Sequence, residues 1–259
     1  MSQFYSGKRK SRLFDPKSKE PFSLSRSKIE DYIKCARCFY MDRRLGVGIP
    51  PGFPFNLNSA VDTLLKKEFD IHRKAQSKHP LMEQYGIDAI PLDHEKIDEW
   101  RNVFKGIQFY HELSGFLVCG GVDDIWQMAD GTLAIVDYKS TSKNGEVNLD
   151  ADWQVAYKRQ MEIYQWLLRK NDFEVSKTGY FVYVNGKTDV AAFDGKLEFD
   201  VKVIPYTGDD SWVEKILLDA RACLESDKIP RASEQCDYCT YRKAVQDVLS
   251  AFGGLRNEK

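Results

Sequence analysis

The residue pattern predicts a mixed α/β fold, with a central mixed β-sheet flanked by helices and closed by a helical cap. Three observations carry this. Leu57, Val61, Leu64, Leu65 and Phe69 keep a helical period. Two strand-like segments, 109–128 and 132–138, meet at Asp130-Gly131, a strong hairpin signal. The segment DWQVAYKRQMEIYQWLLRKN, 152–171, is the best helix in the chain and lies between strands, as a crossover does.

Taken in order, residues 1–22 lack periodicity and are rich in Lys and Arg, including Lys8, Arg9, Lys10, Arg12, Lys17 and Lys19. They read as a basic, flexible tail. SLSRSKIEDYIKCARCFYMDRRLG, 23–46, opens with capping serines and runs as a short amphipathic helix into Cys35 and Cys38. GIPPGFPF, 48–55, is a rigid Pro/Gly loop leading to the helix that carries Leu57 to Phe69. A further helix is expected at 93–105, with Ile97, Trp100 and Phe104 on one face. After the hairpin and the crossover helix come strands at 178–185 and 196–204, a helix at 211–226 and a last short helix after Cys236 and Cys239. Residues 23–250 are expected to form one domain, and 251–259 a C-terminal tail.

Net charge is −1, so the chain is not globally basic, although a local basic stripe would still serve a nucleic-acid partner. No window approaches the ~18 apolar residues of a membrane span, and no apolar run follows the basic N-terminus. The expectation is a cytoplasmic protein with no membrane partner. Four of the six cysteines form two Cys-x-x-Cys pairs, a spacing that in a reducing compartment favours metal over disulfides. Cys119 and Cys223 read as buried thiols.

The hairpin spends charge where a strand core takes Val or Ile. In VDYKS, Asp137 and Lys139 point to one face and Tyr138 to the other. A two-residue turn sets Asp124 opposite Asp137, whereas a three-residue turn with a bulge at Gly131 sets Asp123 there. Either pairing puts two carboxylates within roughly 5 Å, which destabilises a bare sheet. A divalent cation removes the conflict, and Mg²⁺ prefers such hard oxygen ligands. Lys139 beside it would act on water and phosphate charge. Gln160 and Tyr164 lie four apart on one face of the crossover helix, one turn beyond Tyr157, which reads as core.

The order Gly120-Gly121-Val122-Asp123, then Asp137-Tyr138-Lys139, then Gln160 and Tyr164 resembles the PD-(D/E)XK nuclease superfamily, and within it the RecB-like and CRISPR-associated iron–sulfur exonucleases. The resemblance implies a restriction-endonuclease-like core and a Mg²⁺- or Mn²⁺-dependent deoxyribonuclease. It implies Asp123, Asp137 and the Tyr138 carbonyl as metal ligands, Lys139 acting on the attacking water, Gln160 in support and Tyr164 toward substrate. It favours Asp123 over Asp124. Many members of that branch carry a first-helix His in a G-x-x-x-H context. Here the matching stretch is Asn58-Ser59-Ala60-Val61-Asp62, so Asp62 is the candidate further ligand, with Glu68 as its understudy and His72 on another part of the helix.

In related nucleases one N-terminal and three C-terminal cysteines hold a [4Fe–4S] cluster. SKIEDYIKC and CDYCTYRKAV match that pattern, but the expected last cysteine is Val245. Cys35, Cys38, Cys236 and Cys239 therefore suggest a two-plus-two site for a cluster, with Zn²⁺ as the alternative, joining the N- and C-terminal helical segments across a long loop. DNA, as single strands or duplex ends, is the implied partner, with Arg43, Arg44 and the basic N-terminal segment as candidate phosphate contacts. The competing reading is a nucleic-acid-binding module with a degenerate site and a structural metal.

Overall fold

The computed structural model describes residues 7–52 and 55–252. Along the chain come β1 (Phe22–Ser25), α1 (Arg26–Lys34), α2 (Ala36–Arg43), α3 (Asn56–Ala75), α4 (Pro80–Gln84), β2 (Ala89–Pro91), α5 (Ile97–Arg101), β3 (Ile107–His111), β4 (Phe116–Gly120), β5 (Asp124–Met128) and β6 (Leu133–Thr141). A 3-10 turn (Asp152–Gln154) then leads into α6 (Val155–Lys170), β7 (Thr178–Gly186), β8 (Phe199–Thr207), α7 (Val213–Glu225) and α8 (Asp237–Ala251). The fold is mixed α/β with helices flanking its sheets. Its described residues group into two compact units, one within 1–53, 112–116 and 214–259, the other within 54–111 and 117–213.

The second unit is built on a five-stranded sheet in the order β2-β5-β6-β7-β8. Only β6 and β7 run parallel, and α6 supplies the long connection that a parallel pair requires. Alternation along β6 separates its two faces. Val136 and Tyr138 join Leu65 and Phe69 of α3 in a buried cluster with Trp126, Tyr180 and Val182. Phe69 stacks on Trp126 at 5.5 Å and on Tyr138 at 5.7 Å between ring centroids. Asp137 points the other way, toward Gln160 of α6. Helices α3 and α6 thus cover opposite faces of the same strand. Close approach of α6 needs glycine on the strands, because a Cβ at Gly179 would lie 2.3 Å from Met161 Sδ.

In the first unit the expected N-terminal helix is two helices, α1 and α2. They are divided at Cys35, whose backbone is extended (φ −161°, ψ 104°) and caps α2. The tail expected over 1–22 is packed where it is described. Phe14 is buried, Arg9 N–H donates to the Gly46 carbonyl, and the Arg9 guanidinium pairs with Asp42 at 2.6 Å. Residues 1–6 and 253–259 lie outside the described residues, as do 53 and 54 of the Pro/Gly loop.

Other differences have local causes. The helix expected over 93–105 is reduced to α5, because the Asn102 side chain accepts the N–H groups of Phe104 and Lys105 and turns the chain. Phe104 is then 88% exposed while Ile97 and Trp100 are buried. The strand expected over 109–128 becomes β3, β4 and β5, with turns at Gly115 and around Gly121. Of the five apolar residues expected on one face of α3, Val61, Leu65 and Phe69 face the sheet, and Leu57 and Leu64 are exposed. Cys119 and Cys223 are half-buried rather than buried, and burial pushes the Cys223 thiol up to about 11. No helix among the described residues is long and apolar enough to cross a membrane.

Candidate active site and thiol site

The β5–β6 turn decides which aspartate faces Asp137. Asp124 pairs with Val136 and Gln127 with Leu133, so one step further along that register sets Asp123 opposite Asp137. The loop is the three-residue Ala129–Gly131, closed by Met128 N–H to the Thr132 carbonyl, with Gly131 at φ +85°. A positive φ there is why Gly is used.

Asp124 goes elsewhere. It is fully buried, paired with Arg73 at 2.5 Å and Arg101 at 3.1 Å, and takes the Tyr138 hydroxyl at 2.8 Å. Its charge is met inside the α3-side core. Burial and the neighbouring Asp124 charge push the Tyr138 phenol well above its ordinary value, so it stays a donor.

Asp123 is partly exposed, and its Oδ2 accepts the Tyr138 backbone N–H at 2.9 Å. Arg101 Nε holds the Asp123 carbonyl at 3.1 Å, and its guanidinium also pairs with Asp70. Asp123 Oδ1 meets Lys66 Nζ at 3.2 Å, and the same ammonium lies 2.9 Å from Asp62 Oδ2. Burial, then the charge on Asp123, raises the Asp62 carboxyl above the usual range, so the two acids feel one another.

Asp137 is fully buried. Its Oδ1 accepts Gln160 Nε2 at 2.7 Å, and its Oδ2 pairs with Lys139. Gln160 Oε1 is 3.4 Å from Lys139 Nζ, so one amide links the acid and the ammonium. The Tyr157 ring lies 4.5 Å beneath Lys139 Nζ, a cation–π contact. Tyr157 is therefore half-buried against the lysine instead of belonging to the core. Trp153, 61% exposed, meets Tyr157 edge-on at 5.3 Å.

Tyr164 is buried, and its hydroxyl takes a second bond from Gln160 Nε2 at 3.2 Å, so it braces Gln160 and presents little surface. Its ring explains the first glycine of the Gly120-Gly121 pair: a Cβ at Gly120 would lie 2.6 Å from Tyr164 Cε1. The structure thus joins Asp62, Asp123, Asp137, Tyr138, Lys139, Gln160 and Tyr164 in one unit. Arg43 and Arg44 belong to the other unit and are engaged internally. Arg43 Nε donates to Asp42 at 2.8 Å and Arg44 to the Phe14 carbonyl at 3.2 Å. Glu68 is taken by His79 at 3.0 Å, and His72 Nδ1 lies 3.1 Å from the Ser77 hydroxyl.

Sequence reasoning missed Lys66, Arg101 and the Lys139–Tyr157 contact. Lys66 had a readable signal, since it lies four residues beyond Asp62 on the same helix face. Arg101 had none, because nothing in IDEWR indicates which strand end it reaches.

The second site lies wholly in the first unit. Cys35 caps α2 and Cys236 caps α8, so each Cys-x-x-Cys pair occupies a helix N-terminus. The four sulfurs all lie within 4.8 Å of one another. Cys38 Sγ is 3.5 Å from Cys239 and 3.6 Å from Cys236, and Cys35 is 3.9 Å from Cys239. Burial raises the Cys35 thiol. Hydrogen bonds from the Ser233 and Cys38 backbones and from the Cys236 and Cys38 side chains outweigh it, leaving a value of about 7. Cys38 and Cys239 are pushed up, first by burial, and a cation among the sulfurs would be what draws them into thiolate form.

A solved structure titled "Crystal structure of SSO0001" is 14% identical to the chain, covers 85% of it and 84% of its own chain, and superposes with a TM-score of 0.34. No curated protein matches. The model of the PD-(D/E)XK nuclease superfamily, whose members are metal-dependent nucleases, matches residues 23–244, and the chain belongs to that superfamily.

Proposed function

We propose that the chain hydrolyses DNA phosphodiester bonds as an exonuclease, at the site formed by Asp123, Asp137, Lys139 and Gln160. The observation that supports this most is the Gln160 amide, which ties Asp137 to Lys139 on the strand whose register faces Asp123. The all-oxygen donor set suits Mg²⁺ or Mn²⁺. Asp123, Asp137 and the Tyr138 carbonyl would hold the ion, with Asp62 as a further carboxylate. When bound, such an ion supplies charge to a phosphate and acidity to water.

The chain's own groups do the rest. Lys139 Nζ, paired with Asp137, would direct its charge to phosphate oxygens and an attacking water. Gln160 holds Asp137 and Lys139 in a fixed relation, and Tyr164 holds Gln160. Tyr157 limits the lysine to one direction. The exposed Trp153 ring offers a stacking face to an unpaired base near Lys139, which supports single-stranded ends as substrate.

For the thiol site, Zn²⁺ at about 2.3 Å from each sulfur would space the sulfurs about 3.8 Å apart. Three of the separations, 3.5 to 3.9 Å, are close to that edge and all lie within 4.8 Å, so a single ion is favoured over the four-iron cluster implied by the resemblance. Metal analysis and visible absorption of the purified protein separate the two, since only a cluster colours it brown.

The activity is tested with end-labelled single- and double-stranded DNA in Mg²⁺, Mn²⁺ or EDTA. Wild-type protein should release nucleotides from ends in either metal and none in EDTA. Asp137→Ala and Lys139→Ala should each lose about 10²–10⁴-fold in rate. Binding without cleavage under every condition would favour the degenerate binding module instead.

A further inference from the structure

Asp62 and Asp123 come from different elements, the helix α3 and the approach to β5, and their like charges are brought together with one group between them. That group is the Lys66 ammonium, 2.9 Å from Asp62 Oδ2 and 3.2 Å from Asp123 Oδ1. We propose that Lys66 is a tethered counter-ion at the carboxylate site, holding the place of a divalent cation until one displaces it. The proposal rests on the metal site described above and adds to it a residue that sets how tightly metal binds.

Three features set Lys66 apart from an ordinary helix-surface pair. Its side chain is 24% exposed and that of Asp123 also 24%, so the contact is only partly wet. It crosses from α3 to the sheet instead of serving only the i,i+4 partner Asp62. It also completes a pattern: Asp137 already has Lys139, Asp123 Oδ2 has the Tyr138 N–H, and Lys66 covers the remaining facing oxygens. The three carboxylates are thus nearly balanced by the chain's own lysines.

A divalent ion arriving between Asp62 and Asp123 would meet the ammonium as a like charge at contact distance, and both cannot remain there. The lysine has a flexible four-carbon stem and can swing toward solvent while staying close to the site. Bound metal and bound Lys66 are then mutually exclusive. The exchange weakens metal affinity, and it keeps Asp62 and Asp123 from repelling each other when metal is scarce.

The test measures Mn²⁺ binding to the full-length protein by calorimetry without nucleic acid, together with metal-free thermal unfolding, for wild type, Lys66→Met and Lys66→Gln. Removing two screened ion pairs should tighten Mn²⁺ binding about tenfold. It should also lower the metal-free melting temperature and widen the rise in melting temperature that Mn²⁺ produces. The glutamine variant, which keeps polarity without charge, should behave like the methionine variant and stands in if that one fails to fold. Unchanged or weaker Mn²⁺ binding in a folded variant overturns the counter-ion role. If the wild type then still cleaves DNA, the nuclease reading survives. If neither wild type nor variants bind Mn²⁺ or cleave, both readings fall.

Discussion

The thiol site and the carboxylate site solve one problem in opposite ways. Each draws acidic groups from distant parts of the sequence to one point. Around Asp62, Asp123 and Asp137 the chain supplies its own cations, Lys66 and Lys139. Around the four cysteines, the sulfurs are met by one another, by backbone N–H groups and by two helix N-termini, while Arg37, inside the first cysteine pair, gives its Nε to the Pro230 carbonyl. On the proposed reading, the first arrangement stands folded without metal and uses it for chemistry, while the second depends on metal to be whole. Metal removal should therefore cost one unit its stability and the other its activity.

The sharpest break of that contrast is in the cysteines. Cys239→Ser should abolish metal retention and remove stability on the order of 10 kcal/mol, which unfolds α2 and α8. Metal content and thermal unfolding would show it, and an unchanged melting temperature would mean that the thiol site does not hold its unit together. Asp137→Ala, by comparison, should lose activity and leave the Lys139 ammonium without its buried partner, while the metal content of the thiol site stays unchanged.

A smaller effect sharpens the carboxylate side. Gly120→Ala should destabilise by about 1–3 kcal/mol, because the added methyl meets the Tyr164 ring and can only be relieved by moving the group that braces Gln160. Urea unfolding measures the stability, and a parallel fall in DNA cleavage would show that packing reaches the amide.

The smallest effect concerns charge held by the protein itself in the first unit. Burial raises the Asp42 carboxyl, but hydrogen bonds and charge from Arg43 and Lys28 outweigh it and hold it below the usual range. The folded state then binds that proton less readily than the unfolded chain does. Its stabilisation is complete above about pH 4 and is lost as pH falls through the lower folded value. Asp42→Asn should cost about 1–2 kcal/mol at neutral pH, with the difference closing as pH falls through the lowered folded value, in urea titrations at each pH.

Much of this was legible where period and turn chemistry act locally. Asp130-Gly131 announced the hairpin, and the 3.6-residue period announced α3 and α6. The choice between Asp123 and Asp124 was not local. It depends on one extra turn residue, and the residues alone left both registers open until the resemblance favoured Asp123. Phe14 was unreadable as core because a single apolar residue in a polar segment has no period. Phe104 was overread because the Asn102 turn interrupts the pattern it continues. Arg43 and Arg44 looked free for phosphate because their partners, Asp42 and the Phe14 carbonyl, become neighbours only through folding.

Tyr138 divides its labour between its backbone and its ring. The peptide N–H steadies Asp123 at the carboxylate cluster, while the hydroxyl, on the far side of the sheet, serves the buried Asp124. Any residue but proline can supply the first service, and only a phenol of that reach supplies the second. Variation at this middle position of the motif should register first in how much heat the fold endures, with turnover changing later.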